Sequence, residues 1–381
     1  MRLFYIFLIC LTLFSACAKR LSPVNNPEIA PIIDPISVRA KEIVSSMDNR
    51  LLAAQTLISA IDGSGGLTPN NREMFERIPT GGILLFRYNL NAGNDAIRAH
   101  LSQAAEVIRG DSGLPPFIAV DHEGGVVYRF RRGVAYLPSA ASYWEIFQKE
   151  GKGAALSKIE EDCFRSAREI NELGINLNFA PVAEYLTANN SGFLISRSYG
   201  PDPLFTAEAS AAFVRGMERS GVLCVIKHFP GSAGPDPHYS LSVLDIDRAA
   251  LNNLISPFST LIKNGAGAIM IAHTTALSVD SKIASLSPIV MGDWLRGELG
   301  FEGIIISDDF SMAAAGGLSS EEAAVQSVAA GSDMIIVWTA NVVRTHEALI
   351  SALEDGRLSP DRLRDAAQRI IYQKIRMGVV Q

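Results

Sequence analysis

An α/β fold built as a single (β/α)8 barrel is what the sequence predicts, on three observations. Apolar runs recur along the chain, helical patterns separate most of them, and the runs end in polar side chains. In order, the runs are QTLISAI (55–61), GGILLF (81–86), PFIAVD (116–121), INLNFAPVAE (175–184), VLCVIKHF (222–229), GAIMIAH (267–273), GIIISDD (303–309) and DMIIVW (333–338). Each is apolar almost throughout rather than alternating, as expected of a strand in a parallel sheet covered on both faces. AIRAHLSQAAEVIR (96–109) reads as one of the intervening helices. Ser319-Ser320-Glu321-Glu322 matches a Ser-x-x-Glu capping box ahead of AAVQSVAA, and Ser359-Pro360-Asp361 pairs a cap with proline at the first helical position before the C-terminal helix. Eight strands alternating with helices fit a barrel of the TIM type with inserted loops. A doubly wound open sheet is the other architecture that this alternation admits.

The composition frames the class of protein. With 381 residues, 48% of them hydrophobic, the chain is long enough for one large, well-buried core. Its net charge of −6 comes from interspersed acids and bases, so no basic face argues for nucleic acid and no polyanionic substrate is favoured.

The N-terminus reads as a targeting segment. Met1-Arg2 supplies a short positive region, and Leu3 to Phe14 is an apolar run too short to span a bilayer comfortably. It ends in FSAC (14–17), which resembles a bacterial lipoprotein cleavage box with Cys17 as the lipidated residue. An ordinary signal peptide and an uncleaved anchor are the alternatives. Pro23, Pro27, Pro31 and Pro35 deny the following segment a helix and favour an extended tether. The expected division is a lipoprotein signal peptide over 1–16, a Pro-rich tether over 17–37 and one folded domain over 38–381. Of the four cysteines only Cys163 and Cys224 fall in that domain, so no disulfide framework is expected, and Cys224 reads as a buried small hydrophobe.

The polar residues sit where such a barrel builds its chemistry, at the C-terminal ends of strands: Asp121, Glu184, Lys227-His228, His273 and Asp308-Asp309. Four of the six histidines, His122, His228, His238 and His273, fall on these ends or the loops after them. Any one of these residues alone could be a helix cap or a satisfied core group. Five strands ending this way point instead to one shared cleft.

The same stretches carry a family resemblance. DHEGGVVYRF (121–130), LNFAPVAE (177–184), SRSYG (196–200), KHFPG (227–231), Asp236-x-His238, AHT (272–274) and SDDFSM (307–312) occur in the order seen in glycoside hydrolase family 3. Asp-x-His after KHFPG resembles its β-N-acetylglucosaminidase branch, and the likeness runs from about residue 50 to the C-terminus.

The resemblance implies a retaining double displacement with Asp308 as nucleophile, Asp309 being the competing assignment. It implies His238 as acid/base, with Asp236 steadying its imidazole as the acid of a triad does. It places Asp121, Arg197, Lys227 and His228 on sugar hydroxyls, with Arg129 a further candidate. A salt-bridge ring bracing the strand ends is compatible with the same residues. A metal site using His228, His238 and Asp236 is conceivable on residue type, but none is required, and neither a metal nor an organic cofactor is implied.

Several positions depart from the family pattern. Ser232 replaces the histidine of KHFPGHG, Ala233 intervenes, and the loop before Asp-x-His is short; Pro237 replaces a small polar residue, Glu184 stands where aspartate is common, and Val126 replaces an arginine. These changes bear on the reach of the loop and the shape of the site beyond the first sugar. The expected activity is that of an exo-β-N-acetylglucosaminidase tethered by lipid in a bacterial cell envelope, releasing N-acetylglucosamine from peptidoglycan fragments or other glycans. The rivals are a β-glucosidase or a phosphorylase of the same family, and a non-catalytic sugar-binding lipoprotein.

Overall fold

The computed structural model describes residues 34–130, 132–234, 240–311 and 317–381. Its strands are β1 (Leu57–Ala60), β2 (Gly82–Leu85), β3 (Phe117–Val120), β4 (Leu177–Asn178), β5 (Leu223–Phe229), β6 (Ser242–Leu244), β7 (Ala268–Ile271), β8 (Thr274–Ala276), β9 (Ile304–Ser307) and β10 (Ile335–Val337). Eight of them form one parallel sheet in the order β10-β1-β2-β3-β4-β5-β7-β9. A bridge between Ile306 and Met334 joins its two edges and closes the barrel. The eight apolar runs of the sequence are these eight strands.

The burial pattern explains why the runs are continuous. Phe117 and Ala119 of β3 point into the barrel with Ile58, Leu84, Leu177, Val225, Met270 and Ile306, whereas Ile118 and Val120 pack outward against the helices. Successive side chains of a strand face opposite ways, so both registers must be apolar when both faces are covered. Each fully buried Ile or Leu contributes about 1.5–3 kcal/mol, as an upper bound. Close packing extends to the backbone: a Cβ at Gly81 would lie 1.9 Å from the Gln55 carbonyl oxygen, so any larger residue there would lift β2 from β1.

The helices follow their local signals. The helix Asn94–Arg109 buries Ile97, Leu101, Ala104 and Ile108, a one-sided spacing, and ends at Gly110. Ser319 accepts the Glu322 N–H at the start of the helix Ser320–Ala330. Ser359 accepts the Arg362 N–H ahead of Pro360–Arg376.

Three features differ from expectation. Residues 35–37, read as the end of the tether, are the first turn of the helix Pro35–Ser45; proline is tolerated there because the N–H it lacks would have no helical partner. Strand β4 has only two residues, since Pro181 follows shortly and donates no ladder hydrogen bond. Strands β6 and β8 pair parallel as a small separate sheet in the loops after β5 and β7, and three-residue strands leave too little periodicity to read. Cys224 is buried in β5 as expected, and Cys163 and Cys224 are both free thiols. The leader, Cys17 and the tether up to residue 33 lie outside the described residues.

Candidate active site

The C-terminal ends of the strands converge on a cavity of about 240 Å³ lined by Asp121, Glu123, Arg129, Arg197, Lys227, His228, Asp308 and Asp309, with Phe86, Phe179, Phe193 and Met270 among its apolar wall. Sites that enclose drug-sized ligands run from roughly 300 to 1,000 Å³. This one is smaller than that range.

Its charged side is a connected network. Lys227 Nζ lies 2.8 Å from Asp121 Oδ1 and 2.7 Å from Glu123 Oε1. Arg197 grips Glu123 with two bonds of 2.8 Å, Nε to Oε2 and Nη2 to Oε1. The guanidinium also lies 5.0 Å from the Phe193 ring centre. Arg129 pairs more loosely with Asp121, at 3.6 Å. Burial alone would raise the Glu123 carboxyl, but Lys227 and Arg197 drive it far below the ordinary carboxylate range. Asp121 is lowered too, burial being outweighed by Lys227 and Arg129. For Lys227 burial acts downward, yet Asp121 and Glu123 raise it. The network is therefore fully ionised at neutral pH, and it offers a ligand both N–H donors and carboxylate acceptors.

Local backbone explains how β3 delivers two carboxylates. Asp121 and Glu123 follow directly on the end of β3 and both line the cavity, and the turn after them needs glycine. Gly124 has φ +93°, and a Cβ there would lie 2.2 Å from the Pro138 carbonyl oxygen. His122, between them, turns away from the cavity: it packs against Tyr128 and Phe130, and its Nε2 sits 2.8 Å from Ser166 Oγ. Burial pushes its pKa down to about 3, so it is a neutral core group.

Asp308 and Asp309 have different surroundings. Both oxygens of Asp309 are engaged: Oδ1 accepts the Ser311 N–H, and Oδ2 accepts the Ser311 hydroxyl and the Trp338 Nε1–H, each at 2.8–2.9 Å. Asp308 accepts the Asp309 N–H at Oδ1. Its Oδ2 takes none of the hydrogen bonds found among the described residues. His273 supports this turn, its Nε2–H donating to the Asp309 carbonyl at 3.0 Å while Nδ1 lies 2.7 Å from Ser285 Oγ. Burial lowers the His273 pKa against the pull of Asp308 and Asp309.

The structure thus brings together Asp121, Arg129, Arg197, Lys227, His228 and Asp308. Asp236 and His238 lie outside the described residues, as Cys17 does, and no side-chain geometry is assigned to them. Among the described residues no cluster of three or more His, Cys, Asp or Glu side chains is placed to hold a metal ion. Sequence reasoning missed Glu123, although it stands in the quoted DHEGG stretch. Its signal was its place two residues after Asp121, just beyond the end of β3. It also missed Phe193 and Trp338, whose places depend on the loops after β4 and β10.

Residues 58–372 match the model of the glycosyl hydrolase family 3 N-terminal domain. The chain belongs to this family. A β-hexosaminidase of Methylococcus capsulatus is 35% identical over 308 residues, 79% of this chain and 87% of that protein. One from Stenotrophomonas maltophilia is 34% identical over 278 residues, 71% of this chain and 80% of its own. Among solved structures, a family 3 β-N-acetylglucosaminidase from Paenibacillus sp. superposes with a TM-score of 0.81 at 29% identity, over 88% of this chain. This chain spans only 63% of that enzyme's length. NagZ from Neisseria gonorrhoeae, solved with N-trifluoroacetyl-D-glucosamine, superposes with a TM-score of 0.70 at 30% identity, over 83% of this chain and 89% of its own. The family is one of TIM barrels, as the strand order here requires, and these relatives make the chain a glycoside hydrolase.

Proposed function

We propose that this protein is a retaining exo-β-N-acetylglucosaminidase that removes terminal N-acetylglucosamine from peptidoglycan fragments or other glycans. The observation that carries this reading is the contrast between the two strand-end carboxylates. Asp309 is fully engaged by Ser311 and Trp338, whereas Asp308 lines the cavity with one oxygen uncommitted among the described residues. The names of the curated relatives support the sugar.

In the proposed mechanism Asp121, Lys227, Arg197 and His228 hold the sugar hydroxyls, with Arg129 at the edge. Asp308 attacks the anomeric carbon, and the glycosidic C–O bond breaks as His238 gives its proton to the departing oxygen. His238, now neutral, then takes a proton from water, whose oxygen displaces Asp308 and restores the original configuration. Asp236 stabilises the charged imidazole present before the first step and restored by the second. A lipid on Cys17 would hold the enzyme in the bacterial envelope; membrane retention of the full chain, lost in Cys17→Ser, tests that part.

The test of activity is fluorophore release from 4-methylumbelliferyl N-acetyl-β-glucosaminide beside the matching β-glucoside, by leaderless protein with and without phosphate. Cleavage of the first alone, independent of phosphate, is the expected result. Preference for the glucoside, or release of sugar 1-phosphate, would overturn the assignment in favour of a glucosidase or a phosphorylase. Binding of N-acetylglucosamine with no turnover would make the barrel a sugar-binding protein.

A further inference from the structure

Glu184 ends the apolar run of the fourth strand region and is buried, yet no role in the reaction above uses it. Its carboxylate collects donors from two elements. Oε1 lies 2.8 Å from His228 Nδ1 and accepts the His228 backbone N–H at 3.3 Å. Oε2 accepts the Ser232 N–H at 2.6 Å, and the Ser232 hydroxyl reaches Oε1 at 3.2 Å. Burial by itself would raise this carboxyl, but the bonds from His228 and Ser232 lower it, so it is an anion. Gly231 makes the reach possible: with φ +124° it folds the chain back so that the Ser232 N–H faces Glu184. A Cβ at 231 would press on Leu254 at 3.2 Å.

The bond to Nδ1 fixes the imidazole. An anionic acceptor requires the proton on Nδ1, which turns Nε2 of His228 toward the cavity that it lines. The bonds to Ser232 fix something else. Just beyond it, Ala233 is tied at both its N–H and its carbonyl to the Ser242 hydroxyl, at 3.0 and 3.1 Å. The Gly234 N–H bonds to the Asn189 carbonyl at 2.9 Å. The residues just before the stretch that contains Asp236 and His238 are therefore anchored at Ser232, Ala233 and Gly234. Glu184 and Ser232 are two of the positions where the sequence departs from the family pattern, and they are bonded to each other.

We propose that Glu184 is a positioning residue for both halves of the reaction, aiming His228 at the sugar through Nδ1 and anchoring the root of the acid/base segment through Ser232. It rests on the glycosidase reading, and the closing experiment separates the two. Wild type, Glu184→Gln and Ser232→Ala are compared by kcat/KM on two N-acetyl-β-glucosaminides. One has an aryl leaving group that departs without a proton, and the other an alkyl leaving group that needs one. Ser232→Ala removes only the 3.2 Å hydroxyl bond and keeps the N–H bond, so it should leave aryl activity unchanged and lose about 3-fold on the alkyl substrate, because only protonation depends on the segment. Glu184→Gln loses about 10-fold on the aryl substrate through His228 and about 100-fold on the alkyl one. A purely structural role would lower both substrates by one factor, and that parallel loss, or no loss, would overturn the proposal.

A second readout needs no turnover. The His228 Nδ1 proton should give a hydrogen-bonded ¹H–¹⁵N signal in wild type and Ser232→Ala, and should move upfield in Glu184→Gln as a neutral amide replaces the carboxylate. An unmoved signal would overturn the link to His228. If wild type cleaved neither glycoside, the proposed function would fail while this signal still decided whether Glu184 holds the imidazole.

Discussion

The barrel carries a buried charge network at each end, and the two are built to different rules. At the closed end Asp333, fully buried, accepts Arg296 at 2.6 Å, Arg362 at 2.8 Å, Arg369 at 3.4 Å and the Ile305 N–H at 2.9 Å. Arg296 goes on to the carbonyls of Phe301 and Gly303, and Arg362 to those of Val328, Gly331 and Ser332. This knot sits at the seam of β9 and β10, where the sheet itself has one bridge. At the open end Lys227, Arg197, Asp121 and Glu123 pair just as closely, but they line a cavity. Charges at the closed end are satisfied by protein and hold the fold. Those at the open end leave bonding capacity for a ligand, and such preorganised sites commonly cost stability.

Substitutions can break or sharpen that contrast. The largest effect is expected at Asp308: Asp308→Ala should lower turnover on the order of 10⁴-fold or more while the thermal midpoint moves little, since the one bond it accepts among the described residues comes from the neighbouring Asp309 N–H. A collapse of the fold instead would make Asp308 part of the scaffold. Next, Asp333→Asn should cost about 3 kcal/mol in a denaturation curve by taking the buried carboxylate away from three half-buried guanidinium groups, with kcat per folded molecule unchanged. Burial opposes but Arg296, Arg362 and Arg369 depress the Asp333 pKa, so its stabilisation is complete above the unfolded carboxyl value and is lost as pH falls through the folded one. Wild-type and Asp333→Asn stabilities should therefore converge in acid.

Lys374 sharpens the point from the same end. It is buried with Nζ 2.9 Å from Gln55 Oε1, and burial pushes its pKa down to about 7 from 10.5. Between those values the unfolded chain binds the extra proton, so stability from this group rises with pH across the window. Lys374→Met should be more stable than wild type by about 2 kcal/mol at pH 7, net of the Gln55 oxygen left unpaired, and the gap should narrow toward pH 10. A gap independent of pH would mean the amine is charged and paired. The smallest effect belongs to Arg129, whose 3.6 Å pair is partly exposed: Arg129→Ala should change KM by no more than about 5-fold, as a pair of about 1 kcal/mol or less implies.

The fold was largely legible because its signals are local. A run such as GGILLF reports its own burial, and Ser319 and Ser359 announce the helices that follow them within three residues. The site was legible in part: Asp121, Lys227, His228 and Asp308 end strands, and a barrel gathers strand ends. What could not be read locally were the partners. Nothing around residue 122 says that its imidazole turns to Ser166 while its neighbours on both sides face the cavity.

By itself the sequence determined the number and order of the eight barrel strands, the capped helix starts at Ser319 and Ser359 and the set of polar groups delivered to one end of the barrel, since periodicity and capping act over a few residues. Only the tertiary structure decided which groups pair and which remain open to a ligand. Glu123 meets Arg197 across 74 positions of chain, and Lys227 meets Asp121 across 106. Asp309 is engaged by Trp338, 29 positions away, and Asp308 is not. Such contacts are set by barrel closure, and closure depends on every strand at once.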